Sequence, residues 1–368
     1  MTPVEIDTAA CRRRQVRLLQ VMQRLRLDWV LVRQLEHIQY FVGPRFAWTF
    51  QPLAAIRSDG RVVLVAPEHR APEVHAADEI LTYQARWHST LRNDQGQAAS
   101  QVMADALTIH GTNPRLGVEA SCVMHHLAWQ GELVDVEPDL YRLRRRKDAD
   151  ELDRIRAAIG ATERMYERAR EMIRPGTNEL DVYNELQSVA VRYLGEPLTG
   201  TGNDYQCASR GGPPRPREVQ SGELYILDLG PAYRGYFADN ARTIAVTEPT
   251  DLQREAWTHV VDVLALVEAE AGPGTSARRL FELAQRRLDG FPRGIFNHHL
   301  GHGIGLFPHE GPHLNPHWDD TLEPGDVIAV EPGLYGAELR SGIRVENDYL
   351  ITETGVERLT NFPLDLKL

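Results

Sequence analysis

Asp is disfavoured in strands, yet Asp228 sits inside LYILDLG, whose other residues read as a buried strand. A charge in that setting needs a compensating partner. The chain then turns at Ala232-Tyr233-Arg234-Gly235 and returns as YFADNARTIAV, carrying Asp239. A regular hairpin centred between Tyr233 and Arg234 sets Asp228 directly opposite Asp239, with Cβ atoms about 5 Å apart on one face. Two facing carboxylates repel unless one is protonated or a cation lies between them. The arrangement recurs downstream, where Glu331 in GDVIAVEPG is followed by a Gly-rich connection and by RVENDYLIT with Glu346. Packed about a pseudo-twofold axis, the two hairpins would converge four carboxylates. The occupant suited to them is a pair of divalent metals in oxygen-rich coordination.

Six of the fourteen histidines fall between positions 298 and 317: His298, His299, His302, His309, His313 and His317. Gly301 and Gly303 flank His302 in GHGIGL, and glycines there let backbone and imidazole approach a site closely. HEGPH at 309–313 has the HExxH spelling of zinc proteases, but that motif needs both histidines on one helical turn, and Gly311-Pro312 breaks a helix. The zinc-protease reading is rejected.

The elements that must carry these residues look duplicated. Pro175-Gly176-Thr177 and Pro273-Gly274-Thr275 each end one helical stretch and open another, with Thr as the expected N-cap. GELYILDLG at 222–230 matches GDVIAVEPG at 325–333 at nearly the same period. Upstream, an amphipathic stretch from Arg12 to Leu27, WVLV at 29–32, VVLV at 62–65, a helical stretch at 98–110 and RLGVE at 115–119 alternate as in an α/β layer. The expected organisation is an α/β N-terminal domain over 1–147, then an α+β domain with pseudo-twofold internal duplication over 148–368.

Composition narrows the partners. The 368 residues carry a net charge of −11, with 19 basic and 18 acidic residues in 1–150, so the acidity belongs to the second part. A nucleic-acid binder needs a basic face, and only Arg144, Arg145, Arg146 and Lys147 form a basic run, read here as a solvated linker. With Lys147 and Lys367 the only lysines, there is no phosphate-binding GxxxxGK[ST] loop. Three scattered cysteines, Cys11, Cys122 and Cys207, fit a reducing compartment. No apolar signal core opens the sequence and no run of about 18 apolar residues occurs. A cytoplasmic protein without membrane or nucleic-acid partners is expected.

LDLG with Asp228, DNART with Asp239, GHGIGLFPHE with His302 and His309, EPGLY with Glu331 and IRVEND with Arg344 and Glu346 resemble the pita-bread metallopeptidases, above all Xaa-Pro aminopeptidases and prolidases. The resemblance covers roughly 150–360. The first part is similar to the creatinase-type N-terminal domain, where HIQYFVG at 37–43 resembles its YFTG segment. The resemblance implies a pita-bread catalytic domain with two divalent ions, manganese, cobalt or zinc. Asp228 would hold one ion, His302 and Glu331 the other, and Asp239 and Glu346 would bridge. It further implies that Glu331 accepts the proton of the attacking water, that His309 steadies the tetrahedral intermediate and that His298 lines the substrate pocket. Arg344 would hold the bridging Glu346 in place, and two chains would pair as a homodimer.

Two departures stand out. The family carries a histidine before its first aspartate strand, and the matching stretch at 207–228 has none, leaving Arg215, Arg217 or Asp204-Tyr205 to fill the space. Ala241 replaces a common Thr in DNART. The expected function is hydrolysis of a C–N bond in a small peptide by a metal-dependent aminopeptidase or dipeptidase. A hydrolase of a small non-peptide amide or guanidino compound is the alternative on the same fold, and a non-catalytic peptide-binding module is the third reading.

Overall fold

The computed structural model describes residues 4–107, 114–123, 125–202 and 204–367. Two compact units divide the chain, Val4–Arg144 and Arg145–Leu368. In the first, α1 (Thr8–Leu25) starts at Asp7, whose side chain accepts the Ala10 N–H at 2.9 Å. It is followed by β1 (Trp29–Val32), α2 (Leu35–Val42), β2 (Leu53–Arg57), β3 (Val62–Pro67) and β4 (Glu79–Tyr83). A small hairpin of β5 (Arg86–Trp87) and β6 (Thr90–Leu91) leads to α3 (Gln95–Ala106), β7 (Arg115–Val118), β8 (Glu132–Asp135) and α4 (Glu137–Arg145). The helix expected at 98–110 thus starts earlier, and 108–110 lie outside the described residues.

The sheet runs β4-β3-β2-β1-β7-β8, parallel at β3/β4, β1/β7 and β7/β8. WVLV and VVLV are buried on both faces, as strands of a covered sheet must be. His37 is fully buried, paired with Glu119 and accepting at Nε2 from Arg144 at 3.2 Å.

The second unit opens with α5 (Ala149–Met172) and α6 (Glu179–Leu194), then β9 (Leu224–Leu229), β10 (Ala232–Tyr233), β11 (Tyr236–Phe237) and β12 (Asn240–Ala245). The plan repeats as α7 (Asp251–Glu270), α8 (Ala277–Leu288), β13 (Gly301–Gly303), β14 (Glu310–Leu314), β15 (Val327–Val330), β16 (Gly333–Gly336), β17 (Ser341–Arg344) and β18 (Asn347–Ile351), closed by β19 (Val356–Arg358). β14-β13-β15-β18-β19 form one antiparallel sheet, and β9 pairs with β12. Apolar faces of α7 and α8, including Val260, Leu264, Leu280 and Ala284, pack in one core with Ile328 and Val330 of this sheet and Ile343 of β17.

The duplication is written in matching hydrogen bonds. Gly176 and Gly274 both take positive φ, 90° and 83°, and donate to Val219 and Leu322 respectively. Thr177 and Thr275 each turn a hydroxyl back onto the end of the preceding helix, at Met172 and Glu270. The helix caps lie one residue beyond the expected threonines: Asn178 and Ser276 accept from the first turns of α6 and α8.

The basic run is no solvated linker. Arg144 is buried on His37, Arg145 pairs with Asp326 at 2.6 Å, and buried Lys147 reaches Glu310 at 2.5 Å; only Arg146 is exposed. These cations are consumed in structural pairs.

Candidate metal centre

β9 is buried along its length, and Asp228 within it is 8% exposed. Across the pair it faces Ala241, not Asp239. The turn is centred one residue later than expected, between Arg234 and Gly235, whose φ values of 48° and 88° are the positive ones a two-residue I′ turn requires. Shifting the centre by one moves every partner by two, so Asp239 keeps its face and lies diagonal to Asp228. In the second hairpin Val330 faces Asn347 and Gly333 faces Arg344, a register that leaves Glu331 opposite Glu346. The hairpins join where the Glu346 N–H donates to the Ala241 carbonyl at 2.9 Å and Thr243 Oγ1 bonds the Arg344 backbone at 2.9 and 3.0 Å.

His302 enters from β13. A Cβ on Gly301 would lie 2.0 Å from the Ala329 carbonyl oxygen, and one on Gly303 2.1 Å from that of Gly311, so only glycine permits this packing. His302 Nδ1 donates to the Gly303 carbonyl at 3.0 Å, which leaves Nε2 as the available lone pair. That nitrogen lies 3.4 Å from Glu331 Oε1 and 3.7 Å from Asp239 Oδ2. The five residues singled out in the sequence therefore converge.

Burial pushes Asp239 and Glu346 well above the ordinary carboxylate range, and repulsion from Asp228, Glu331 and Asp348 pushes them further. Asp228 is raised by burial against the opposing pull of Arg344. Burial also acts upward on Glu331, but the imidazoles of His299 and His302 beside it outweigh it and hold this carboxylate well below its usual range. Asp239, His302 and Glu346 each offer a ligand atom within 4.8 Å of the others, while buried Asp228 Oδ1 and Glu346 Oε2 have no hydrogen-bond partner among the described residues. Carboxylate oxygens with one imidazole suit divalent manganese, cobalt or zinc, so the donor set fits such ions.

Two of the expected histidines edge this cluster. His298 Nδ1 donates to the His299 carbonyl at 2.8 Å and its Nε2 lies 3.0 Å from the Tyr335 hydroxyl; burial lowers its pKa to about 4. His309 is exposed on one side and stacked on His302 at 3.6 Å between ring centroids, and loss of solvation together with the neighbouring imidazoles lowers its pKa to about 4. Both are neutral imidazoles near neutral pH. HEGPH lies mostly on strand β14, so its two histidines do not share a helical turn.

The sequence itself matches Metallopeptidase family M24 over residues 153–353, and the Creatinase/Prolidase N-terminal domain over residues 14–146. The chain belongs to Metallopeptidase family M24. It is 30% identical over 285 residues to the uncharacterized peptidase YqhT of Bacillus subtilis, covering 74% of this chain and 80% of that protein. With the Xaa-Pro dipeptidase of Pyrococcus furiosus the identity is 31% over 239 residues, covering 64% of this chain and 68% of that one. The solved Xaa-Pro dipeptidase from Bacillus anthracis superposes with a TM-score of 0.81 at 24% identity, over 97% of this chain and all of the other. That likeness shows a shared fold: a creatinase-type domain followed by the pita-bread domain of family M24.

Within this M24 site Arg344 departs from its expected place beside Glu346. Its Nη2 reaches Asp228 at 2.8 Å and also pairs with Asp204, and its Nη1 donates to the Arg210 carbonyl and the Tyr335 hydroxyl. Arg215 and Arg217, considered for the missing histidine, are tied to Glu179 and Glu223. Asp204 is brought in by a bridge to Asp228.

Sequence reasoning missed His299, whose Nε2 lies 2.7 Å from Glu331 Oε1, and Tyr335. Both had a signal. His299 neighbours His298, and Tyr335 shares strand parity with Glu331. Of the residues considered for the missing histidine, Asp204 is the one brought to the cluster, and no spacing selected it, since an isolated bridge leaves no periodic pattern.

Proposed function

We propose that this M24 member is a dinuclear-metal peptidase that hydrolyses the C–N bond of short peptides, with Xaa-Pro dipeptides and tripeptides as its substrate class. The observation that carries the reading is the buried cluster of Asp228, Asp239, Glu331 and Glu346 with His302 Nε2 turned into it. When bound, divalent ions polarise the scissile carbonyl and lower the pKa of a water towards neutrality. Asp239, Glu346 and His302 would hold them together with Asp228 and Glu331. Glu331, kept ionised by its histidine neighbours, has the charge state of a proton acceptor. Arg344 fixes the carboxylate of Asp228, and neutral His309 at the rim can donate an N–H to the oxygen that gains charge. His298 is held in one tautomer by the His299 carbonyl and contacts Tyr335 as a pocket wall.

Three free cysteines support a cytoplasmic setting, and pairing into a homodimer belongs to the same proposal, read by sedimentation at micromolar concentration. The deciding assay reloads metal-free protein with manganese, cobalt or zinc and offers Xaa-Pro peptides, Met-Xaa peptides and small non-peptide amides. Metal-dependent Xaa-Pro cleavage, reduced at least about a thousandfold in Glu331→Ala, is the expected outcome. Protein that holds less than one divalent ion per chain, with Glu331→Ala as active as the parent, would sink the reading. Preferential turnover of amides or guanidino compounds would transfer it to the alternative raised by the absent histidine.

A further inference from the structure

Three arginines stand in the stretch where the expected histidine is absent. Two are neutralised by Glu179 and Glu223. The third, Arg210, is exposed and has no carboxylate partner among the described residues. Its guanidinium lies over the Tyr335 ring at 4.2 Å and donates to Asn297 Oδ1 at 2.5 Å. The Tyr335 hydroxyl in turn lies 3.0 Å from His298 Nε2, so the cation is one side chain away from the residue proposed as a pocket wall.

The turn presenting Arg210 is pinned on both flanks. Its carbonyl accepts from Arg344 at 3.1 Å, the Ser209 carbonyl accepts from Ser341, and the Gly212 N–H donates to Asp204 at 2.5 Å. Gly211 takes a φ of 153°, and a Cβ there would lie 2.1 Å from the Asp204 carboxylate, so this close turn accepts only glycine. A guanidinium on a fixed backbone, stacked on an aromatic face, loses little entropy when it forms a fork with a carboxylate. Arg344, the other guanidinium here, already has its charge met by Asp204 and Asp228.

We propose that Arg210 is a specificity-determining residue that holds the C-terminal carboxylate of a short peptide substrate. This rests on the peptidase reading and makes the enzyme selective for peptides that end one or two residues past the cut. It also gives the pinned turn at 209–212 a function of its own: it supplies a fixed cation in the stretch from which the histidine is missing.

The test compares alanyl-proline with alanyl-prolinamide on metal-loaded enzyme. Wild type is expected to favour the free acid in kcat/KM, and Arg210→Ala to cut the acid-to-amide ratio by roughly 10- to 100-fold, the size of one charge-assisted hydrogen bond. The loss falls on KM, and Arg210→Lys restores part of the ratio. An unchanged ratio in Arg210→Ala, or an equal fall for acid and amide, overturns the proposal, because a merely structural arginine would affect both alike. Calorimetric binding of the same two compounds separates this from the peptidase reading. If neither compound is cleaved but Arg210→Ala selectively weakens binding of the acid, the carboxylate site stands and the activity assignment falls. Equal binding of acid and amide by wild type removes the site.

Discussion

Asp239 and Glu346 hold their protons more tightly in the folded protein than in the unfolded chain, because burial and neighbouring acids oppose ionisation. For an acid whose folded pKa is raised, the stabilisation is complete below the unfolded value of about 4 and is lost as pH rises through the folded value. Metal-free protein is therefore expected to lose stability as pH rises from about 4 through the interval in which these groups are forced to ionise against one another. Divalent ions remove that repulsion, so the rise in Tm on metal loading should widen across the same interval. Differential scanning calorimetry of chelated and reloaded protein reads it, and a Tm difference independent of pH would show that these carboxylates do not meet the ions. At the same scale, identity alone did not disclose the partner of Arg344. Two positions from Glu346 in sequence, its side chain still ends on Asp228 of the other hairpin.

The first hairpin depends on its turn. Arg234 and Gly235 both occupy the left-handed region, and the arginine's place there leaves Gly235 as the residue that relieves the strain. Gly235→Ala is expected to destabilise the fold by about 1–2 kcal/mol, measured by urea unfolding. Metal affinity should fall with it, since the turn sets the register that brings Asp239 diagonal to Asp228. An unchanged midpoint and affinity would show that the strands fix their own register. At this scale the sequence was legible where a pattern repeats. Strand composition exposed the two hairpins, and Pro-Gly-Thr exposed the helix junctions. It was illegible by one residue at the turn and at the caps, because Thr177 and Thr275 bond backward to Met172 and Glu270, leaving Asn178 and Ser276 to cap.

Across the whole molecule the charge of −11 and the site are linked. Two divalent ions would formally take it to −7, a shift of four. The raised pKa values of Asp239 and Glu346 favour retention of protons in metal-free protein, so metal binding is expected to release them. Metal loading should therefore change electrophoretic mobility by fewer than four charges. The deficit should appear as released protons in titrations run in buffers of different ionisation enthalpy. A full four-charge shift without proton release would mean that the acids are ionised before metal arrives.

The order and types of Asp228, Asp239, His302, Glu331 and Glu346 were fixed locally, because buried strands tolerate acids only for a reason and glycines beside an imidazole announce close packing. The family, the duplicated part and the expectation of bound cations followed from those residues. Tertiary structure alone decided which groups compensate them. Arg144, Arg145 and Lys147 left solvent for structural pairs, Arg215 and Arg217 were taken up by Glu179 and Glu223, Asp204 was drawn to Asp228, and Arg210 to the ring of Tyr335. Side chains of this length can reach several acids from one backbone position. Arg145 and Lys147 meet acids 181 and 163 residues further along the chain, and that proximity exists only once the chain has folded.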